Sequence, residues 1–228
     1  MRIFAEIHLL LKNKAVLAGA SGLIGSNLLQ ILLHGDYYDE VVILVRQMLA
    51  VEHIKLTQIQ VDFDHLKDHA GSITGHAIFC CLGSTKKKTP DLAVYRKVDH
   101  DYPLALAQIA LKNGVGQYHL VSALGANAGS SNFYTKMKGE TENDIKSIGL
   151  PCLHIYRPAL LTGERTEFRL AERIFTPIMK LIDPLLIGHL KKYRSIPAAA
   201  VASAMYNQSM NNERGVFIHP SDQIKQLS

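Results

Sequence analysis

The sequence predicts a doubly wound parallel α/β sheet. Three observations point there: short apolar bursts alternate with helix-period stretches, a glycine turn follows the first burst, and no Pro/Gly/Ser linker divides the chain. Lys14–Ala18 (KAVLA) reads as a buried strand entering that turn, and Leu23–His34 then sets Leu28, Leu29, Ile31, Leu32 and Leu33 in a helical pattern. Val41–Val45 is β-branched and apolar, as a strand covered on both faces must be. Further strands are expected at Ile59–Asp62, His76–Cys81, Gln117–Ser122 and Cys152–Tyr156. Helices are expected at Asp91–Lys112 and Phe133–Ser147, with Gly114 and Gly149 as stop signals. Strand alternating with helix implies right-handed crossovers and one parallel sheet. After Pro158 the pattern changes to a mostly helical stretch, Arg165–Leu190, broken by Pro177 and Pro184. A helix over Pro197–Met210 and a strand over Gly215–His219 complete the reading. Residues 14–228 are therefore expected to form a single domain, with 162–193 capping the crevice and 1–13 as an N-terminal extension.

Composition narrows the class. The 228 residues are 47% hydrophobic and 20% charged, enough to bury a core, which excludes intrinsic disorder. A net charge of +5 suits an anionic ligand and is too small to mark a nucleic-acid surface. Three cysteines, Cys80, Cys81 and Cys152, give neither a disulfide framework nor a zinc spacing. They read as small buried hydrophobes in a reducing compartment. The eleven histidines show no metal spacing, and no metal is expected. The N-terminal apolar run is about eight residues long, short for a secretory signal, and no run approaches a spanning helix. A cytoplasmic protein with no membrane and no nucleic-acid partner is the expectation.

Three motifs carry chemistry. Gly19-Ala-Ser-Gly22-Leu-Ile-Gly25 follows the first strand and opens the first helix. Gly19 permits the tight turn, Gly22 lets backbone N–H groups approach a pyrophosphate, and Gly25 allows helix and sheet to pack closely. The helix N-terminus favours the anion through its unpaired N–H groups and dipole. Arg46 stands at the end of the second strand, 27 positions beyond Gly19, where an acid would hold the ribose hydroxyls of a cofactor lacking the 2′-phosphate. A guanidinium there prefers a phosphate dianion, hence NADPH. Asp62-Phe63, after the third strand, can face the adenine edge. Tyr134 and Lys138, four apart, share one helical face, where an ammonium stabilises phenolate and brings a tyrosine towards working pH. Lys138 can also hold the nicotinamide ribose, and Ser122, twelve positions before Tyr134, can hydrogen-bond the same substrate oxygen. Lys86-Lys-Lys88 reads as a solvated loop near the crevice.

The glycine turn, the Ser122/Tyr134/Lys138 set and the strand order resemble the short-chain dehydrogenase/reductase superfamily. More closely, the chain is similar to the atypical branch containing the HIV Tat-interacting oxidoreductase-like protein and its bacterial relatives. The stretches that carry this likeness are Phe79-Cys-Cys-Leu-Gly-Ser-Thr85, Val98-Asp-His-Asp-Tyr102, Ser130-Ser-Asn-Phe-Tyr-Thr-Lys-Met-Lys-Gly-Glu140 and Tyr156-Arg-Pro158. The resemblance implies a Rossmann-type NADPH-binding domain. It places cofactor against Ser21, Gly22, Leu23 and Ile24 at the turn, Arg46 and Gln47 at the 2′-phosphate, and Leu82 and Gly83 after the fourth strand. It makes Tyr134 the proton donor or acceptor and adds Lys138, Leu161 and Arg169 as cofactor contacts. Two departures stand out: Gln47 replaces a second Arg, weakening the phosphate grip, and Ser122-Ala123 replaces a serine pair.

The leading functional expectation is an NADPH-dependent oxidoreductase that passes hydride to the carbonyl of a small-molecule substrate. The alternative is an NADPH-binding regulator that engages a protein partner with little chemistry, since a fold alone does not imply catalysis. A nucleotide-sugar epimerase or dehydratase ranks third, because only about 65 residues follow Leu161. Monomer and homodimer both fit.

Overall fold

A computed structural model describes residues 13–85, 89–163, 186 and 188–228. Its first half runs β1 (Lys14–Ala18), α1 (Leu23–His34), β2 (Glu40–Val45), β3 (Leu56–Gln60), a 3-10 segment (Phe63–Ser72) and β4 (Ala77–Cys80). Next come α2 (Leu92–Arg96), a π turn (Lys97–Asp101) that leads directly into α3 (Tyr102–Lys112), β5 (Gln117–Val121) and α4 (Phe133–Ser147). The last part holds β6 (Cys152–Arg157), β7 (Leu161–Thr162), a second 3-10 segment (Gly188–Tyr193), β8 (Ile196–Pro197), α5 (Ala198–Ser209), β9 (Gly215–Pro220) and α6 (Ser221–Leu227).

The main sheet has the order β3-β2-β1-β4-β5-β6-β9, and every neighbouring pair is parallel. The strand order reverses between β1 and β4. In such sheets a crevice opens at that point, beyond the carboxyl ends of the strands. Alternation along each strand feeds two cores. Ala15 and Leu17 of β1 join α1 and α5 on one face, through Leu28, Leu32, Val201 and Met205. Val16 and Ala18 join α3 and α4 on the other, through Leu106, Ala110 and Ile145. Both faces of the central strands are thus dry, which is why they are almost purely apolar.

Among the described residues the expected elements are present, with three differences. The third strand is Leu56–Gln60 rather than Ile59–Asp62, and it is the half-exposed edge of the sheet. The apolar signal used to place it belongs partly to Val61 and Phe63, which enter the core at the start of the 3-10 segment. The helix expected over Asp91–Lys112 is split by the π turn. The short C-terminal helix α6 lies where no element was expected. Most of the expected Arg165–Leu190 helix falls outside the described residues, as do Lys86–Lys88 and residues 1–12. The start of 162–193 is tied back to the fold where β7 pairs β8, Thr162 opposite Pro197. No helix among the described residues is long and apolar enough to cross a membrane.

Candidate active site at the sheet crevice

The glycine turn has the geometry its chemistry requires. Gly19 sits at φ +89°, and a Cβ there would stand 2.5 Å from the Cys81 carbonyl oxygen. A Cβ at Gly25 would stand 2.1 Å from the Gly19 carbonyl oxygen, so helix α1 could not approach β1 with any larger residue. Gly22 caps α1 without a side-chain partner, and no acid lies in the first turn. The opening N–H groups of α1 therefore remain available to an anion beside β1 and β4. Ser21 is exposed and Leu23 half-buried, whereas the Ile24 side chain is in the core, so Ile24 can offer only its backbone. The residues fit a pyrophosphate, because the cradle exists only while these positions lack a Cβ.

At the carboxyl ends of β2 and β3 lies a cavity of about 420 Å³, walled by Arg46, Gln60, Asp62, Phe63, Val98 and Tyr102. Arg46 and Gln47 are exposed, and the Gln60 amide donates to the Arg46 carbonyl at 3.1 Å. Phe63 and Tyr102 form a tilted ring pair, 5.4 Å between centroids. Asp62 uses its carboxylate within its own turn, accepting from the Asp64 N–H and facing the His65 ring at 2.8 Å. That hydrogen bond from His65 is the main reason the Asp62 carboxyl lies below its ordinary pKa.

Across the switch point, Asn132 caps α4 by accepting from the N–H groups of Tyr134 and Thr135. This starts the helix so that Tyr134 and Lys138 lie one turn apart. Tyr134 is 39% exposed, while Lys138 is buried. The Lys138 Nζ lies 2.8 Å from Oδ1 of Asp99, a residue of the π turn that is 1% exposed. The other Asp99 oxygen accepts the Ser84 N–H at 2.7 Å. A Cβ on Gly83 would lie 3.5 Å from Asp99 Oδ1 and 4.0 Å from Lys138 Nζ, so Gly83 stands directly beside the ion pair. Burial works against the Lys138 charge, but the Asp99 carboxylate outweighs it, with Tyr134 adding to the effect, and the lysine pKa rises. Gly139 follows at once, and its missing Cβ lets the Asn127–Ala128 backbone lie flat on α4.

Ser122 does not join this pair. Its hydroxyl donates to Glu142 Oε1 at 2.6 Å, in a buried site where Glu142 also accepts from both Arg157 Nε and Nη2. A hydroxyl has one proton, and here a buried carboxylate takes it. The serine expected to orient substrate instead ties β5 to α4, and Ala123 follows it. Hydrogen bonding to Glu142 raises the Arg157 pKa. Leu82 and Leu161 are half-buried and Gly83 exposed at the crevice, and Arg169 lies outside the described residues. Among the described residues, no group of His, Cys, Asp or Glu is placed to hold a metal. Asp99, Glu142 and Arg157 are the residues that sequence reasoning did not single out. The hints were the stretches Val98-Asp-His-Asp-Tyr102 and Tyr156-Arg-Pro158, which carry the family likeness and hold Asp99 and Arg157 without assigning them a role.

Fold and crevice together define a dinucleotide-binding protein of the Rossmann type. The family described as NAD(P)H-binding matches residues 19–210. The chain is 32% identical over 214 residues to the protein HTATIP2 of Rattus norvegicus, covering 90% of this chain and 85% of that one. It is 34% identical over 201 residues to the protein fmp52 of Aspergillus fumigatus, whose name includes "mitochondrial", covering 85% and 86% respectively. The chain belongs to the NAD(P)H-binding family, in the atypical short-chain dehydrogenase/reductase branch that holds HTATIP2 and FMP52. Among solved structures it is similar in fold to a UDP-N-acetylglucosamine 4-epimerase from Methanobrevibacter ruminantium M1, with TM-score 0.67 and 16% identity over 92% of this chain and 77% of that one. MoeE5 in complex with UDP-glucose and NAD gives TM-score 0.69 at 14% identity, covering 91% and 75%.

Proposed function

We propose that the chain is an NADPH-dependent oxidoreductase of the short-chain dehydrogenase/reductase type, acting on a small-molecule carbonyl. The observation that carries this reading is the Tyr134–Lys138 pair beside Gly83, across the switch point from the Gly19–Gly25 turn. The turn and the first N–H groups of α1 would hold the pyrophosphate, and Arg46 in the cavity beside Asp62 would take the 2′-phosphate. The bound nicotinamide would supply the hydride. Tyr134, exposed at the crevice, would give its proton to the carbonyl oxygen, and Lys138 would hold the ribose and steady the phenolate. Three free thiols, Cys80, Cys81 and Cys152, support a reducing compartment such as the cytoplasm.

The test is a panel of aldehydes, ketones and quinones assayed with NADPH and NADH. Tyr134→Phe should lower kcat/KM by about 10²-fold or more while NADPH affinity stays within about threefold. Arg46→Ala should bring NADPH affinity down towards that for NADH, about tenfold or more. Turnover that survives Tyr134→Phe would refute the mechanism. One observation favours a second reading, an NADPH-binding regulator with a protein partner: the Ser122 hydroxyl is committed to Glu142, so the pair lacks the serine expected beside it. A regulator would bind NADPH, reduce nothing in the panel, and be indifferent to Tyr134→Phe.

A further inference from the structure

The pair at the centre of the crevice has a third member. We propose that Asp99 is a positioning residue that fixes the place of Lys138 and offsets its charge, and so limits how strongly the lysine acts on Tyr134. The inference rests on Tyr134 and Lys138 being the working pair proposed above.

Three observations carry it. First, Asp99 and Lys138 are almost fully buried and 2.8 Å apart, so little water weakens their attraction. Second, the same carboxylate holds the Ser84 N–H at 2.7 Å, immediately after Leu82 and Gly83. One side chain therefore fixes the ammonium and the loop that walls the crevice, and a shift in either is felt by the other. Third, the backbone that places Asp99 packs directly on α4: the Thr141 hydroxyl lies 3.2 Å from the Asp99 carbonyl and 2.9 Å from the Met137 carbonyl, and shares its one proton between them.

Among the described residues, the charged neighbours of Asp99 along the chain are paired elsewhere. Arg96 pairs with Glu140, Lys97 with Asp64, and His100 lies between Asp101 and Asp144. From the sheet, the buried Cys80 thiol of β4 faces the pair, and beside that thiol lies the Tyr118 phenol of β5, whose hydroxyl donates to the Pro103 carbonyl. Tyr134 reaches Lys138 electrostatically from α4. Asp99 is thus the carboxylate bonded to Lys138, and its negative charge opposes the field of the ammonium. An isolated cation within about 4–6 Å would lower a phenol pKa by roughly 1–3 units; a neutralised one does much less.

Tyrosinate absorbance tests this without substrate or cofactor. Tyr134 is isolated from the other eight of the nine tyrosines by subtracting the Tyr134→Phe protein in each background. The double variant Asp99→Asn/Lys138→Met removes both charges at similar volume and should fold even where a single variant does not. Its Tyr134 is expected to ionise within about 0.5 pH unit of the unsubstituted protein. A rise of about a unit or more overturns the proposal, because Lys138 would then already act at full strength. Asp99→Asn alone, where folded, should lower the Tyr134 ionisation by about one unit and move the pH–rate profile with it, while Asp99→Glu restores the original value. An unchanged Tyr134 in folded Asp99→Asn also overturns it. Failure of the oxidoreductase reading would show as turnover that survives Tyr134→Phe, a rate the titration does not measure, so the two can fail separately.

Discussion

The two faces of the sheet bury polar groups in opposite ways. On the face covered by α3 and α4, the groups are ions, each with a counter-ion: Asp99 with Lys138, Glu142 with Arg157. On the face covered by α1, α5 and α6, they are imidazoles in a stack that runs across three strands. Strand register sets His119 of β5 opposite His154 of β6, and Tyr156 opposite His219 of β9. The His119 and His154 rings lie 4.7 Å apart and 3° from parallel. His119 bonds the Tyr156 hydroxyl and the Gln117 amide oxygen, and His154 bonds His219 at 3.0 Å. Burial, helped by the neighbouring imidazoles, pushes His119 well below its ordinary pKa and His154 down to about 4. The two buried ion pairs thus lie on the face that carries Lys138, where partners of opposite sign exist. The stacked rings of the other face hold their polarity in neutral form, and among the described residues the Nε2 of His154 has no hydrogen-bond partner.

The largest expected effect separates the two arrangements directly. Glu142→Ala leaves the Arg157 guanidinium and the Ser122 hydroxyl without their acceptor in a buried site, and should cost about 3 kcal/mol of stability, read as a lower urea midpoint. A loss below about 1 kcal/mol would mean that water, rather than Glu142, satisfies Arg157.

The imidazole stack should respond to acid instead. The unfolded chain takes up protons at these histidines below about pH 6.5, whereas folded His154 does so only near 4. Its contribution is complete above pH 6.5 and is lost as pH falls through that window, about 2 kcal/mol from His154 by pH 5. Thermal midpoints measured from pH 7 to pH 4.5 should therefore fall, and should fall less in His154→Phe; parallel curves would remove the stack as the cause. The smallest effect belongs to the solvated Arg96–Glu140 pair at 2.6 Å, both partners partly exposed. Arg96→Ala should move the melting midpoint by under about 2 °C, and the difference should vanish in 1 M salt.

What the sequence disclosed and what it hid divide along one line. The β1–turn–α1 unit was legible because its residues are contiguous and its glycines answer to local backbone geometry. Tyr134 and Lys138 were legible because one helical turn fixes their separation. Asp99 was not, since it meets Lys138 only through the packing of the π turn against α4, across 39 positions of chain. The imidazole stack depends on register among three strands, which a sequence does not state. Ser122 illustrates the limit most sharply: its position at the end of β5 was right, yet the side on which its hydroxyl emerges is decided by where β5 stops and by Glu142 waiting on α4. The third strand was displaced because an edge strand needs only half an apolar pattern.

The π turn has a consequence for length. A π turn holds one residue more than an α turn over nearly the same rise, so it resets the angular phase of everything after it. The rod from Leu92 to Lys112 therefore runs in two phases: α2 buries Tyr95, and α3 buries Leu106, Ala107 and Ala110 while Gln108 and Lys112 face water. Dropping a single residue between Lys97 and Asp101 would turn α3 by about 100° relative to α2, bringing its solvent side towards the sheet. This stretch can exchange side chains on its wet face freely, but its residue count works as a gear tooth that cannot be skipped.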